Sequence, residues 1–245
     1  MKIGFIQSRG LGDIIIAAPI AQHWIAQGHE VYWPIDHCFY DYIIEALPEI
    51  RFIRLPESVC EDKSGREYFF DAPLALLQDA DCERIVSLYS ALGGLPVTNE
   101  PLAQSLKFDE YKYAICGLPF ALKYNLKLNR NAVREQALFD SLDLPQHYAL
   151  VHQEGWSKRK NIEVPAHLRA DRVVYIESLT DNPFDWLLTI ERAQSLHFID
   201  SGFANIVEQL QFKQPKYLHL RSLVEFTPVY LSWVIVGRTD IEVTR

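Results

Sequence analysis

A short stretch near the N-terminus decides the fold: Lys2-Ile3-Gly4-Phe5-Ile6-Gln7, followed by the turn Ser8-Arg9-Gly10-Leu11-Gly12-Asp13. The first six residues have the apolar interior of a buried strand, and the turn leads into a helical stretch that reaches about Gln27. Gly28 is a natural stop just past that helix. A strand, a glycine-containing turn and a helix in this order open a βαβ unit, so the stretch predicts an α/β fold built on a parallel sheet.

The same alternation continues along the chain. The first half predicts strands at Glu30–Ile35, Arg51–Leu55 and Arg84–Tyr89, with helices at Phe39–Leu47 and Leu74–Gln78. The second half predicts strands at Tyr148–Gln153, Arg172–Glu177, His197–Ile199 and Tyr217–Leu220. Its helices are expected at Pro183–Ala193, capped by Asn182, and at Phe203–Leu210.

Two domains follow from a break in this rhythm. Residues 107–146 look helical or irregular and end in Leu142-Asp143-Leu144-Pro145. We therefore predict an N-terminal domain of residues 1–145 and a C-terminal domain of residues 146–245. In the first domain, Pro19 falls inside the predicted helix, which implies either a bend there or a helix whose regular part starts later than Asp13.

The composition is that of a globular protein: 49% of the 245 residues are hydrophobic and 23% are charged, which excludes disordered and fibrous chains. The net charge of −8 opposes broad nucleic-acid binding, because such binding needs many contacts from Lys and Arg. The longest apolar stretches, Ile14–Ala21 and Val229–Val236, are too short to span a membrane, and the strand-like run after Met1 and Lys2 is too short for the apolar part of a signal peptide. We expect a cytoplasmic protein with no membrane span, and free thiols rather than zinc ligands, since the four cysteines form no C-x-x-C pair.

The first turn suggests an anion-binding loop made by Ser8, Arg9, Gly10 and Gly12, because glycines let backbone N–H groups approach a phosphate closely. A nicotinamide-binding fingerprint would need a third glycine where this chain has Ile15, although Asp36 stands where a ribose-binding acid is expected. A nicotinamide oxidoreductase is therefore a weak alternative.

Asp13 has two possible roles. It is a suitable N-cap for the helix that follows. It is also a carboxylate at the carboxyl edge of a parallel sheet, where a general base for an acceptor hydroxyl would lie. Both interpretations stay open on these residues alone.

Three segments resemble the family-9 glycosyltransferases, the group of the lipopolysaccharide heptosyltransferases. They are Ser8–Ile14 with Pro19 further on, Ala149–Gln153 with the basic run Lys158-Arg159-Lys160 and Pro165, and Ile190–Leu210 with the loop Asp200-Ser201-Gly202. The resemblance implies a GT-B fold, in which two Rossmann-like domains face each other across a cleft. Since this chain is shorter than the family's enzymes, its C-terminal domain is expected to be shortened.

The resemblance also implies an activity, the inverting transfer of a sugar from a nucleotide-diphosphate donor, with Asp13 as general base and no metal or cofactor. Lys160, or alternatively Lys158, matches the lysine that neutralises the donor phosphate. Asp200, Ser201 and Gly202 match the donor loop, in which the N–H groups of Ser201, Gly202 and Phe203 are expected to hold phosphates. The family usually has a histidine where this chain has Asn205.

Further expectations concern single residues and partners. Glu177, at the end of a predicted strand, is a candidate acceptor of hydrogen bonds from a ribose. His152 and Glu154 are candidates for lining the cleft, whereas the strip of Tyr and Lys residues around Lys112 is better explained by helix packing than by nucleic-acid binding. The acceptor is expected to be a glycan, a lipid-linked molecule or a small molecule. The oligomeric state is not predicted.

One alternative shares this fold. A shortened GT-B protein that binds sugar nucleotides without turnover, or that serves as a partner subunit, would contain the same segments. Such a protein would bind the donor equally well with Asp or Asn at position 13, whereas an enzyme would lose transfer.

Overall fold

The computed structural model describes residues 1–89, 105–155, 160–168, 170–220 and 227–236. The chain divides into two compact units, Met1–Arg130 and Asn131–Arg245. The domain border near residue 145 stays a prediction. None of the helices in the described ranges has both the length and the hydropathy needed to cross a membrane.

The first unit is built on a parallel sheet of four strands: β1 (Lys2–Ile6), β2 (Glu30–Ile35), β3 (Arg51–Arg54) and β4 (Arg84–Ser87). The strand order is β3-β2-β1-β4, so that β1 lies inside the sheet between β2 and β4. The near-continuous apolar run of β1 fits a strand that is covered on both faces. The turn after β1 consequently opens in the middle of the carboxyl edge of the sheet.

Helix α1 (Leu11–Ala26) follows that turn, and every side chain from Ile14 to Ala21 is buried. The helix runs through Pro19 and begins before Asp13, so the alternative of a later helix start is wrong. The Pro19 nitrogen cannot donate a helical hydrogen bond. The Tyr113 hydroxyl donates to the Ile16 carbonyl in the same part of α1, at 2.8 Å.

The first unit contains several further helical segments: α2 (His37–Ala46), α3 (Glu57–Cys60), a π-helical turn (Glu67–Asp71) that continues into α4 (Ala72–Asp79), α5 (Phe108–Cys116) and a 3₁₀ helix (Phe120–Asn125). The π-helical turn contributes three aromatic side chains to a buried cluster that consists of Ile6, Leu55, Cys60, Tyr68, Phe69, Phe70, Leu77 and Tyr89. This cluster lies under the carboxyl end of β1.

The second unit repeats the architecture with five strands: β5 (Tyr148–His152), β6 (Arg172–Tyr175), β7 (Ser195–Ile199), β8 (Lys216–His219) and β9 (Trp233–Val236). All of them pair in parallel, in the order β6-β5-β7-β8-β9. The strands β5 and β7 are neighbours inside the sheet, and both are buried along their whole length.

The helices of the second unit are α6 (Ala132–Ser141), the 3₁₀ helices Ala166–Leu168 and Pro183–Trp186, α7 (Leu187–Arg192) and α8 (Gly202–Gln209). Asn182 caps the Pro183 helix as predicted, since its side chain accepts from the Phe184 N–H. The Arg134 guanidinium binds Asp185, with Nε and Oδ1 2.9 Å apart, which attaches α6 to that helix.

Candidate active site

The turn after β1 differs from the sequence-based prediction at its helix cap. Gly10 is the N-cap of α1, with a φ of 83°, and no side chain caps the helix. Asp13 lies in the first turn of α1, so its predicted role as the cap is wrong. A glycine accepts this φ without the steric penalty that a side chain would bring, so Gly10 suits the position before the first helical residue. The Asp13 carboxylate is left for another role.

Gly10 also makes room for the Asp13 carboxylate. A Cβ atom at residue 10 would lie 2.9 Å from Oδ2 of Asp13, closer than van der Waals contact permits. The absence of a side chain therefore lets the carboxylate fold back over the turn. The sequence predicted that a phosphate approaches the backbone at this glycine; in the structure the Asp13 carboxylate lies there.

A buried lysine contacts the same carboxylate. Nζ of Lys112, on α5, lies 3.2 Å from Oδ1 of Asp13, and 1% of the lysine side chain is exposed against 34% of the aspartate. The ammonium group also donates to Oε1 of Gln7 at 2.6 Å and to the carbonyl of Leu88 at 3.3 Å. Asp13 thus combines a partly exposed carboxylate with a buried counter-charge.

The other residues of the predicted loop are placed differently from one another. Ser8 is buried: its N–H donates to the Tyr89 hydroxyl at 3.1 Å, and its hydroxyl donates to the Tyr68 carbonyl at 3.1 Å. Arg9 is exposed and its guanidinium lies over the Phe69 ring, 5.7 Å from the centroid. The Ser8 N–H is already bonded to Tyr89, whereas the Arg9 side chain is open to solvent. Arg9 is therefore the residue of this pair that a ligand can reach.

Asp36 follows β2 and is fully buried. Its carboxylate accepts from the Tyr68 hydroxyl at 2.8 Å and pairs with the Lys63 ammonium at 2.7 Å. Burial raises the pKa of this carboxyl, but hydrogen bonds from Lys63, Cys38 and Tyr68 outweigh burial and lower it to about 2. Because these groups occupy the carboxylate, Asp36 does not offer the exposed acid that a nicotinamide ribose would need.

The Asp36 cluster also contains possible metal donors. One donor atom each from Asp36, His37 and Cys60 lies within 4.8 Å of the others. The Lys63 ammonium supplies the positive charge at this carboxylate, and we assign no metal there.

In the second unit, the loop after β7 leads into α8. Ser201 is the N-cap of α8, and its hydroxyl accepts from the Ala204 N–H at 3.4 Å. The same hydroxyl lies 3.0 Å from Nδ1 of His152, at the end of β5, and the His152 ring packs edge-on against Phe203 with centroids 4.8 Å apart. Two neighbouring strands therefore place His152 and Ser201 together at a helix N-terminus, where backbone N–H groups and the helix dipole favour an anion.

Asn205 lies one turn further along α8 and is 4% exposed. Its Nδ2 donates to the Ser201 carbonyl at 3.0 Å, whereas its Oδ1 is buried and has no hydrogen-bond partner among the described residues. Asn205 is tied to the loop through its amide nitrogen. Its side chain cannot carry a positive charge, unlike the histidine expected at this position.

The remaining predicted donor residues surround the same edge of the second sheet. Asp200 is buried at the end of β7. Nζ of Lys160 donates to the Leu220 carbonyl at 2.5 Å, and its N–H donates to the Gln153 carbonyl at 2.9 Å, which places Lys160 near the ends of β5 and β8. Glu177 is exposed after β6. Lys158 lies outside the described residues.

Three solved structures have the same fold. The glycosyl transferase of family 9 from Veillonella parvula DSM 2008 superposes with a TM-score of 0.64 at 12% identity, over 96% of this chain and 86% of that one. The E. coli ADP-heptose lipopolysaccharide heptosyltransferase II gives 0.54 at 10% identity, over 96% and 90%. E. coli heptosyltransferase WaaC with ADP-2-deoxy-2-fluoro heptose gives 0.52 at 11% identity, over 96% and 93%.

The chain has the fold of the family-9 glycosyltransferases. The predicted GT-B-like α/β fold with two parallel sheets is therefore confirmed. No protein-family model and no curated protein matches the sequence. The resemblance read from three short segments thus agrees with the three-dimensional likeness at identities of 10–12%.

The sequence explained Lys112 and its tyrosine neighbours by helix packing, which agrees with their burial, but it did not predict the contact of Lys112 with Asp13. Lys112 and Asp109 are three residues apart and therefore share one face of α5. Both are buried in α5 together with Tyr111, Tyr113 and Cys116, so the available signal was a pair of opposite charges three residues apart among residues that pack in a core. Gln7, its hydrogen-bond partner, was assigned to the strand end without a role.

Proposed function

We propose that this chain is an inverting glycosyltransferase that moves a sugar from a nucleotide-diphosphate donor to an acceptor hydroxyl, with Asp13 as the general base. One observation carries the proposal: in a family-9 glycosyltransferase fold, a partly exposed Asp13 carboxylate lies at the carboxyl edge of the first sheet, next to a buried cation. Ligands of open α/β sheets bind at this edge.

The proposed chemistry is a single displacement. The Asp13 carboxylate takes the proton of the acceptor hydroxyl, and the acceptor oxygen forms a bond to the anomeric carbon. The bond between that carbon and the donor phosphate breaks, and its electron pair leaves with the nucleoside diphosphate. Because attack and departure occur on opposite faces, the anomeric configuration inverts. General-base catalysis of this kind contributes about 10²- to 10⁴-fold to the rate.

In the second unit, we propose that the first turn of α8 binds the donor diphosphate. The N–H groups of Ser201, Gly202 and Phe203 are candidates for phosphate contacts, and Lys160 or Lys158 for the neutralising cation. Asn205 and Asp200 complete this loop, and Glu177 is a candidate ribose contact. Helix N-termini and lysines stabilise a leaving phosphate without a metal, so the proposal includes neither metal nor cofactor.

The likeness to heptosyltransferases suggests which donor to try first. WaaC was solved with ADP-2-deoxy-2-fluoro heptose, so ADP-sugars head the panel. The proposed acceptor is a glycan, a lipid-linked molecule or a small molecule in the cytoplasm.

Donor binding is measured first, by thermal unfolding of the chain with ADP-, GDP-, UDP- and CDP-sugars and with NAD. A ligand at a hundred times its dissociation constant stabilises the folded state by about 2.7 kcal/mol, which for a chain of this size raises the midpoint by several degrees. We expect a shift with one class of nucleotide sugar and none with NAD. No shift with any sugar nucleotide would contradict the proposal.

Catalysis is then tested by the Asp13→Asn variant. With the donor identified above, release of the nucleoside diphosphate is followed with water or an acceptor panel. We expect Asp13→Asn to lower this rate by about 10²- to 10⁴-fold at unchanged donor affinity. The matched control is Asp79→Asn, an exposed carboxylate at the end of α4, which should behave as the wild type. Donor binding with equal, negligible turnover in all three proteins would favour a binding protein instead.

A further inference from the structure

The contacts of Lys112 differ from those of an ordinary surface lysine. The side chain is 1% exposed, so it does not reach a bound substrate. Its ammonium group contacts three oxygen atoms, which come from three different segments: Gln7 after β1, Leu88 after β4 and Asp13 in α1. An ammonium group has three N–H donors, so these partners match its full capacity.

Asp13 is the charged member of this set. The carbonyl of Leu88 and the side chain of Gln7 are neutral acceptors, whereas Asp13 carries the negative charge. A buried cation is costly without an anion nearby, and the pair attracts strongly because little water screens it. The ammonium group of Lys112 therefore attracts the Asp13 carboxylate and holds it by its Oδ1 atom.

The second carboxylate oxygen is placed by the turn. Oδ2 of Asp13 lies over Gly10, in the space that a Cβ atom would fill. One oxygen is thus held by a buried ammonium group and the other has room above a glycine, while 34% of the Asp13 side chain stays exposed.

We propose that Lys112 is a positioning residue, which fixes Oδ1 of Asp13 and so orients the carboxylate toward the acceptor hydroxyl. This inference rests on the proposed role of Asp13 as general base. When Asp13 takes the acceptor proton and becomes neutral, Lys112 keeps its hydrogen bonds to Gln7 and Leu88 and stays in place. The Asp13 carboxyl group can then lose its proton to solvent, and α5 does not have to move.

The decisive experiment is a double-mutant cycle between Lys112→Met and Asp13→Asn. Methionine keeps most of the apolar volume but removes the charge. We expect Lys112→Met to lower kcat by about tenfold or more, within the 10²- to 10⁴-fold that a general base contributes. KM for the donor should not change, because the proposed donor groups belong to the second unit. In the Asp13→Asn background the same substitution should change kcat less than twofold, since Lys112 acts through Asp13.

A chemical rescue separates orientation from general structural damage. Lys112→Ala removes the whole side chain, and ethylammonium or propylammonium ions in the buffer supply the missing ammonium group. We expect these ions to restore part of kcat, whereas tetramethylammonium, which has no N–H donor, should not. The control Lys127→Met changes an exposed lysine of the same unit and should leave kcat unaltered.

The outcomes distinguish the two proposals. If Asp13→Asn keeps full activity, the proposed function fails. If Asp13→Asn lowers transfer as expected while Lys112→Met keeps kcat, or lowers it equally in both backgrounds, only the positioning role of Lys112 is overturned. Should Lys112→Met not fold, the rescue of Lys112→Ala decides, and a lack of rescue by either primary ammonium ion overturns the inference.

Discussion

The two units share the same local structure, a strand followed by a short turn and a helix. They differ in the polar and charged side chains that lie beside that turn. In the first unit, the interior near the turn contains full charges, as in the pair of Lys112 with Asp13 and the pair of Lys63 with Asp36. In the second unit, the groups beside the turn after β7 include His152, whose Nδ1 lies 3.0 Å from the Ser201 hydroxyl, and the buried carboxyl group of Asp200. A shared topology therefore leaves the electrostatics of each edge to individual side chains.

The difference matches the two proposed tasks. A general base has to be an anion in a fixed position, and we propose that the buried ammonium group of Lys112 holds Asp13 in that way. A phosphate-binding turn instead needs hydrogen-bond donors, which a helix N-terminus supplies through its backbone N–H groups. A strand-turn-helix segment therefore predicts where a ligand binds, whereas the side chains packed beside the turn indicate which reaction or which ligand the site suits.

The largest expected effect tests the charged interior of the first unit. Lys123 and Asp109 form an ion pair of 2.7 Å, and both side chains are fully buried. Lys123→Met removes the ammonium group that pairs with the buried Asp109 carboxylate, and the loss of one member of a buried ion pair should cost about 3–5 kcal/mol of stability. Urea unfolding, with amide exchange in α5, measures this loss. Lys127→Met serves as the exposed control. If Lys123→Met costs less than about 1 kcal/mol, the buried charges of the first unit do not matter for its stability more than exposed ones do.

Acid should test the buried histidines of the second unit. His197 and His219 lie 3.3 Å apart between Nδ1 and Nε2, and His197 stacks on Tyr217. Burial lowers the pKa of both histidines from 6.5 to about 4, and the charges of His197 and Lys160 contribute at His219. Both are therefore neutral in the folded chain at pH 7.

The sign of the pH effect follows from the unfolded chain, whose histidines titrate near 6.5. Between pH 6.5 and about 4 the unfolded state binds more protons, so the stabilisation is complete above pH 6.5 and is lost as the pH falls toward 4. One shift of this size corresponds to about 3 kcal/mol. Amide exchange in β7 and β8 against pH measures it. His197→Phe should flatten the slope, whereas the exposed His147→Gln should not; equal slopes in all three would refute the explanation.

The sequence predicted most strands to within one or two residues, because buried parallel strands are apolar runs bounded by turn residues. The predicted strand Glu30–Ile35 has the observed bounds of β2, and Tyr148–Gln153 overshoots β5 by its last residue. Local chemistry also predicted the Asn182 cap. These features depend on neighbours along the chain, which the sequence displays directly.

The candidate site was predicted less completely, since its contacts join distant positions. Lys112 meets Gln7 across 105 residues, and His152 meets Ser201 across 49. Asp13 was assigned to two roles because nothing local showed that Gly10, through its positive φ, starts the helix. Only the folded chain shows which of these polar residues share a location.

A smaller effect is expected at Gly10, where two causes can be separated. Gly10→Ala places a side chain at a φ of 83°, which costs about 1–2 kcal/mol, and it also pushes on Oδ2 of Asp13. Gly28 has a φ of 85° and nothing within 4 Å of an added Cβ atom, so Gly28→Ala is a matched control. Both variants should lose similar stability in thermal unfolding, but only Gly10→Ala should lose transfer. Equal activity in the two would show that the Asp13 position does not depend on the turn.

The smallest expected effect concerns the cap of α8. Ser201→Ala removes the hydroxyl that accepts from the Ala204 N–H, and Asn131→Ala removes the corresponding cap of α6, which accepts from the Arg134 N–H at 3.2 Å. Each loss should cost about 1 kcal/mol of stability. If Ser201 also binds the donor, Ser201→Ala should in addition weaken the donor-induced rise of the unfolding midpoint, while Asn131→Ala should leave that rise intact. Because the two variants cost the second unit a similar amount of stability, any difference between their responses to the donor reports on binding at the α8 turn, and identical responses would mean that Ser201 only caps its helix.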